Sequence, residues 1–390
     1  MLQLMRAFLA KGYQITYATT AGESVYAHDL SSEGIANAKV EVNDTGFDAW
    51  VQQIDPTLVL FDRFMVEEQF GWRVRIHCPS AIRILDTEDL HCLRYAREAA
   101  VKERRSFVEE DLYRDIAFRE IASILRCDLS LMISSYEMAL LQRVFSVDAS
   151  LLHYMPFLED PNSDASKQSW LSFEQRAHFI SIGNFMHAPN LDAVKQLKEV
   201  VWPKIRARLP KVELHVYGAY PTQQVLEWND PMHGFLVKGR AEEAEAVIGQ
   251  ARVMLAPLRF GAGLKGKLVD AMRCGTPSVT STIGAEGMLL GKDWPGRVED
   301  EEDAFVHAAV DLYSEEARWN DVQMHCTDLI NGAFNGKGHV LLFWNRMDHL
   351  MAELEQHRRA NFMGGMLWHH STRSTEYMSK WIEAKNKGQR

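Results

Sequence analysis

The chain has 390 residues, enough for two domains, and a hydrophobic fraction of 46% suffices for two buried cores. A formal net charge of -10 excludes a sequence-independent grip on nucleic acid, which needs a clustered excess of Lys and Arg to neutralise phosphates. Five cysteines (Cys78, Cys92, Cys127, Cys274 and Cys326), widely spaced and without a CxxC, read as reduced thiols rather than a disulfide frame or zinc site.

Residues 2–11 read as an amphipathic helix carrying Leu4, Phe8 and Leu9, stopped by Gly12. The segment is too short for a membrane span and lacks a cleavage-like site. The expected location is therefore the cytosol, or the cytosolic face of a membrane with peripheral contact. QITYAT (14–19), KVEVN (39–43), TLVLFD (57–62) and AIRILDTED (81–89) read as strands. Residues 94–126 place Phe107, Leu112, Ile116, Ile121 and Leu125 at helical spacing among charges, as one or two long helices. LSLMISS (129–135) is a strand and YEMALLQRVF a helix. This alternation implies a mostly parallel sheet covered on both faces. A doubly wound domain ordinarily opens on a strand; this chain opens on a helix, so the first domain is expected to lack its first strand.

PFLEDPNSDASKQSW (156–170), polar and with two prolines, reads as a linker. A second alternation follows. Strands are expected at 177–183, 212–218, 234–239, 252–258 and 277–282, and helices at 190–209 (kinked near Pro203), 221–228, 241–251 and 267–275. The tail from about 340 is helical, and its aromatic and methionine stripe suits packing better than ligand binding.

The chemistry concentrates in RVMLAPLRFGAGLKGKLVDAMRCGTPSVTSTIGAEGM (252–288). A buried strand ends at Ala256-Pro257, a loop carries Gly261, Gly263 and Gly266, and a helix starts near Lys267. Ligands of open α/β sheets sit beyond the carboxyl ends of the strands. Glycines let backbone amides approach a ligand closely, and a helix start favours an anion. Lys265 and Lys267 add full charges, so the ligand group is read as a phosphate or diphosphate. Asp270, one turn along on the face of Lys267, suits vicinal hydroxyls such as those of a ribose. The bland alternative is a glycine turn merely joining strand to helix, and the Gly275-Thr276-Pro277 turn does read that way.

GAGLKGKLVDAMRCGTPSVTS followed by IGAEG resembles the donor site of GT-B glycosyltransferases, in particular the retaining group 1 or family 4 enzymes. FISIGNFMHAPN (179–190) resembles the opening of their second domain, and the likeness covers most of 177–290. In the first half LDTEDLHCLR (85–94) is the most family-like stretch. The fold class implied is α/β, two Rossmann-like domains facing a cleft. Residues 1–160 would form an acceptor-side domain completed by a C-terminal helix at about 340–390, and 170–340 a nucleotide-sugar-binding domain. Many members carry two glutamates separated by seven residues. The second contacts the ribose, where this chain has Asp270; the first contacts the donor sugar, where this chain has Ala262.

Donor-binding residues are then expected at Gly183, Asn184 and His187 after one strand. Lys238, Gly239 and Arg240 stand where the family holds the base. The loop contributes Gly261, Ala262, Gly263, Leu264, Lys265, Gly266 and Lys267, with Asp270 behind it and Glu286 near a sugar hydroxyl. Lys265 is the leading phosphate ligand and Lys267 the second. His91 matches a first-domain histidine near the sugar and, with Lys265, is the expected catalytic pair. Asp86 and Asp89 would orient His91 or cap the next helix. The implied reaction retains anomeric configuration and needs no cofactor or metal, the nucleoside-diphosphate sugar being a co-substrate. A hexosyl or related transfer to a glycan, lipid or protein acceptor is expected. Glu109-Glu110-Asp111 reads as solvated, and His369-His370, adjacent on a helix, as no metal pair. Two other readings stay open: a nucleotide-sugar epimerase, and a donor-binding or scaffold protein that has lost catalysis.

Overall fold

The computed structural model describes every residue except 23, 25, 26, 162–166, 168, 290–292 and 388–390. In the first domain β1 (Thr16–Thr19) pairs in parallel with β2 (Ala36–Lys39). A separate parallel sheet runs in the order β3 (Leu58–Asp62), β4 (Ile82–Asp86), β5 (Leu129–Met132), β6 (Leu152–Tyr154). Among the described residues no strand joins β1 to β3, so this domain's strands form two separate sheets. β5 is buried along its whole length, as are the first four residues of β4, which is why both read as continuous apolar runs. The strand expected at 39–43 lies mostly past the paired segment. Its period-2 pattern is real, but the ladder ends at Thr19–Lys39 and Asn43 turns the chain at φ 60°. The one or two helices expected over 94–126 are two, His91–Lys102 and Asp115–Arg126, with a short 3-10 turn at Glu109–Leu112 between them.

The second domain is a six-stranded parallel sheet of β7 (Ala177–Ile182), β8 (Leu214–Tyr217), β9 (Phe235–Gly239), β10 (Ala251–Ala256), β11 (Ser278–Thr280) and β12 (Gly296–Val298). Its order, β12-β11-β10-β7-β8-β9, shows that the chain starts centrally at β7, winds outward to β9, then crosses back to β10 and winds the other way. The reversal lies between β7 and β10, and an open α/β sheet places its ligand crevice at that point. The helix expected over 190–209 is Ala188–Gln196 and Trp202–Arg208 joined by a π-turn at Leu197–Val201. Pro203 has no N–H and its ring crowds the carbonyl four residues back, so the preceding turn widens.

The tail, Gly336–Ala352, Leu354–Ala360 and Phe362–Lys387, returns to the first domain. Phe343, Trp344, Met347 and Leu350 share one core with Leu4, Phe8, Ile84 and Leu131. Trp368 is 5% exposed, lies 5.2 Å from the guanidinium of Arg83, and donates to the Arg126 carbonyl at 2.9 Å. The two segments that cross between the domains bind one another: Glu159 N–H donates to Phe334 O and Gly336 N–H to Glu159 O, both at 2.9 Å.

Candidate donor site

β7 and β10 open onto a cavity of about 330 Å³ lined from both sides of the reversal point. Gly183, His187 and Asn190 follow β7; Phe260, Gly261, Ala262 and Leu264 to Lys267 follow β10, with Asp270 behind them. Asn184 does not line it. Its side chain accepts from Met186 N–H, its carbonyl accepts from Asn190 Nδ2, and so it shapes the turn that brings Asn190 inward.

The local fold explains the lysines. Lys265 caps the helix Gly266–Arg273, whose first turn leaves amides without intrahelical partners. Lys267 Nζ donates to Asn190 Oδ1 at 2.7 Å, and among the described residues no carboxylate pairs with it. Burial alone pushes its ammonium down to about 8. Lys265 is differently placed. Its Nζ donates to Gly263 O at 2.8 Å, burial pushes its pKa down, and Glu286, Glu137 and Asp89 act against that. Among the described residues neither lysine makes an ion pair and both line the cavity; Lys267, held by the Asn190 side chain alone, is the less committed of the two. A Cβ at Gly183 would stand 2.7 Å from Lys267 Nζ and from the Asn190 side chain, so a larger residue there would displace that pair. Burial pushes the Asp270 carboxyl up to about 6, partly opposed by Arg273 at 3.7 Å.

Several expected residues lie elsewhere. His91 is 5% exposed, its ring edge-on to Phe64 at 5.3 Å, and it lines neither this cavity nor the one described next. The His91 and Cys92 amides both donate to the Glu120 carboxylate, which caps that helix and draws the histidine into the first domain. Lys238 and Arg240 are exposed at the end of β9, and with Gly239 they lie outside the cavity lining. Glu286 turns to the first domain, both its oxygens accepting from Arg97 at 2.7 Å. Gly263 also faces that domain: a Cβ would stand 2.9 Å from Asp89 Cβ. Sequence reasoning missed Asn190, Arg97 and Glu137. Arg97 sits on a charge-rich helix where nothing separates it from solvated neighbours, and the partner of Glu137 lies 126 residues away.

A second cavity, about 290 Å³, opens at the carboxyl ends of β4 and β5, lined by Asp86, Glu88, Leu131, Ile133 and the chain from Met155 to Leu158. Leu264 lines both cavities, so the two adjoin across the loop after β10. Among the described residues no cluster of three potential metal ligands occurs, and no helix is long and apolar enough to cross a membrane.

Two parallel-sheet domains with facing carboxyl ends and a cavity at the second sheet's reversal point define a GT-B architecture. Solved structures of similar fold include sucrose-phosphate synthase from Thermosynechococcus elongatus, with TM-score 0.65 and 17% identity over 90% of this chain and 92% of that one. HepE from Anabaena, solved with UDP and glucose, has TM-score 0.60 and 12% identity over 89% of this chain and 95% of that one. The pneumococcal O-GlcNAc transferase GtfA, solved with UDP and GlcNAc, has TM-score 0.57 and 16% identity over 78% of this chain and 60% of that one. Comparison with curated protein sequences yields no match. Residues 176–315 match the family model of glycosyl transferases group 1. The chain thus has the GT-B fold, and its second domain is similar over residues 176–315 to glycosyl transferases group 1.

Proposed function

We propose that this protein transfers a hexose or related sugar from a nucleoside-diphosphate donor in the second-domain cavity to an acceptor in the first-domain cavity. The reading includes retention of anomeric configuration and a diphosphate held by protein groups without a metal ion. The observation that carries it is Lys267, a half-buried lysine without a carboxylate partner among the described residues, at a helix start and at the sheet's reversal point. As the sugar–phosphate bond breaks, the electron pair and negative charge pass to the leaving diphosphate. Lys267 and the first amides of the helix Gly266–Arg273 are fixed where that charge develops, which lowers the barrier without reorganisation. Asp270, one turn further in, is the ribose acceptor in this reading. The shared wall at Leu264 supports an acceptor in the first-domain cavity, since a hydroxyl there would lie next to a sugar held in the other. HepE and GtfA were solved with UDP, so UDP is the first nucleotide to try.

The test is calorimetric titration with UDP, GDP and ADP and their sugars, coupled to an assay for released nucleotide. One nucleotide should bind saturably, and its affinity should fall as the pH drops through about 6, where the Asp270 carboxylate gains a proton and loses an acceptor. Asp270→Asn should bind more weakly at neutral pH and show a flattened pH response. Folded wild-type protein that binds none of these ligands sinks the reading.

A further inference from the structure

We infer that Arg97 and Glu137, two first-domain residues, are positioning residues for the donor loop: they fix the peptide groups on either side of Ala262, so the donor cavity is complete only when the domains are closed. The inference rests on the donor reading of that cavity and adds what builds its wall.

The geometry is specific. Arg97, on the helix His91–Lys102, is 5% exposed and reaches across the cleft. Its Nη1 donates to Gly261 O at 2.9 Å, and its fork grips both oxygens of Glu286 at 2.7 Å. One guanidinium therefore ties together the loop after β10 and the turn after β11. Its planar fork is held between the rings of Tyr136 and Phe107, at 5.4 and 5.5 Å, which leaves it little freedom. Glu137, on the helix Ser135–Phe145, is 1% exposed, and its Oε1 accepts from Gly263 N–H. Its Oε2 is buried without a partner. Between these two anchors Ala262 belongs to the first domain's own hydrophobic cluster, which also holds Leu90, Leu93 and Met132.

The first domain thus holds the carbonyl before Ala262, the amide after it and the side chain between. The same loop, through Gly261, Ala262, Leu264 and Lys265, lines the donor cavity. Gly263 at φ +64° and Gly287 at φ +75° permit the approach: added Cβ atoms would lie 2.9 Å from Asp89 and 2.4 Å from Ser134 Oγ. Arg97 and Glu137 touch no part of the cavity themselves, so their effect on a donor passes through the loop.

Amide hydrogen exchange on the full chain reads the loop without any ligand. Exchange in the segment 258–266 should rise roughly tenfold in Glu137→Ala and in Arg97→Met, the size expected for losing one buried hydrogen bond. Glu137→Gln, whose amide oxygen still accepts from Gly263 N–H, should stay near wild type. Glu286→Gln, which weakens only the Arg97 grip and leaves the buried carboxyl in place, should be intermediate and keeps the test usable if Glu137→Ala fails to fold. UDP affinity should fall in the same order. Variants that lose thermal stability while segment 258–266 exchanges as in wild type and UDP affinity is unchanged would overturn the inference. A wild type that binds no nucleotide overturns the donor reading instead, and the exchange pattern still decides whether the first domain holds the loop.

Discussion

Lys267→Met is expected to weaken nucleotide binding by about 10- to 100-fold while leaving the unliganded protein at least as stable as wild type. The two effects share one cause. Without a ligand, the Lys267 ammonium is withdrawn from water with Asn190 Oδ1 as its hydrogen-bond partner and no carboxylate to offset the loss of hydration. An apolar side chain of similar length removes that cost. With a diphosphate bound, the same ammonium gains charge-assisted hydrogen bonds that Met cannot make. The pH dependence of stability gives the sign independently. The folded-state pKa is lowered to about 8 from an ordinary 10.5, so between those values the unfolded chain holds the proton and the folded chain does not. Stability contributed by this group therefore rises with pH across that window, and the slope should vanish in Lys267→Met. Thermal melts across the window, paired with nucleotide titrations at neutral pH, check both halves. A variant that is clearly destabilised yet binds nucleotide as wild type does would show Lys267 to be structural.

Lys265→Met should divide the other way, with more stability lost and less affinity. Lys265 is already committed to Gly263 O and stands among acids from both domains. This contrast was invisible in the sequence, where both lysines flank one glycine. What was legible there was the local element: a buried run ending at Ala256, glycines, and an amphipathic helix carrying Asp270. Those patterns depend on neighbours within a few residues, and the alternation of strands and helices that places the loop in a Rossmann-like domain is equally local. The misplacements came where a distant partner decides. His91 reads like a cleft residue until Glu120, 29 residues on, captures its helix start. Glu286 reads like a sugar contact until Arg97, on another domain, takes both its oxygens. Lys238 to Arg240 end a strand at the proper pole, but β9 is the sheet's outer strand, well off the reversal between β7 and β10. Strand order is set by long-range pairing, and no spacing in the chain records it.

Ala262→Glu, which restores the acid many family members carry at this place, is expected to open the domains rather than improve donor binding. In this chain Ala262 is 8% exposed and belongs to the hydrophobic cluster of the first domain, whose members include Leu90 and Met132. A glutamate there would bury a carboxylate in an apolar setting, and Arg97 is already saturated by Glu286. Burying an uncompensated charge costs about 3 kcal/mol or more. The protein can avoid that cost by parting the domains, so the penalty is capped by the free energy of closure. Opening would break the Arg97–Glu286 pair and the bond from Gly263 N–H to Glu137. The expected result is a larger radius of gyration in solution scattering, faster exchange in both segments 258–266 and 284–288, and weakened nucleotide binding although no ligand-facing group was removed. If Ala262→Glu instead stays closed and binds a nucleotide sugar more tightly than the free nucleotide, then position 262 still points at the donor sugar here. Wild-type catalysis would in that case proceed without an acid that the site can still accommodate.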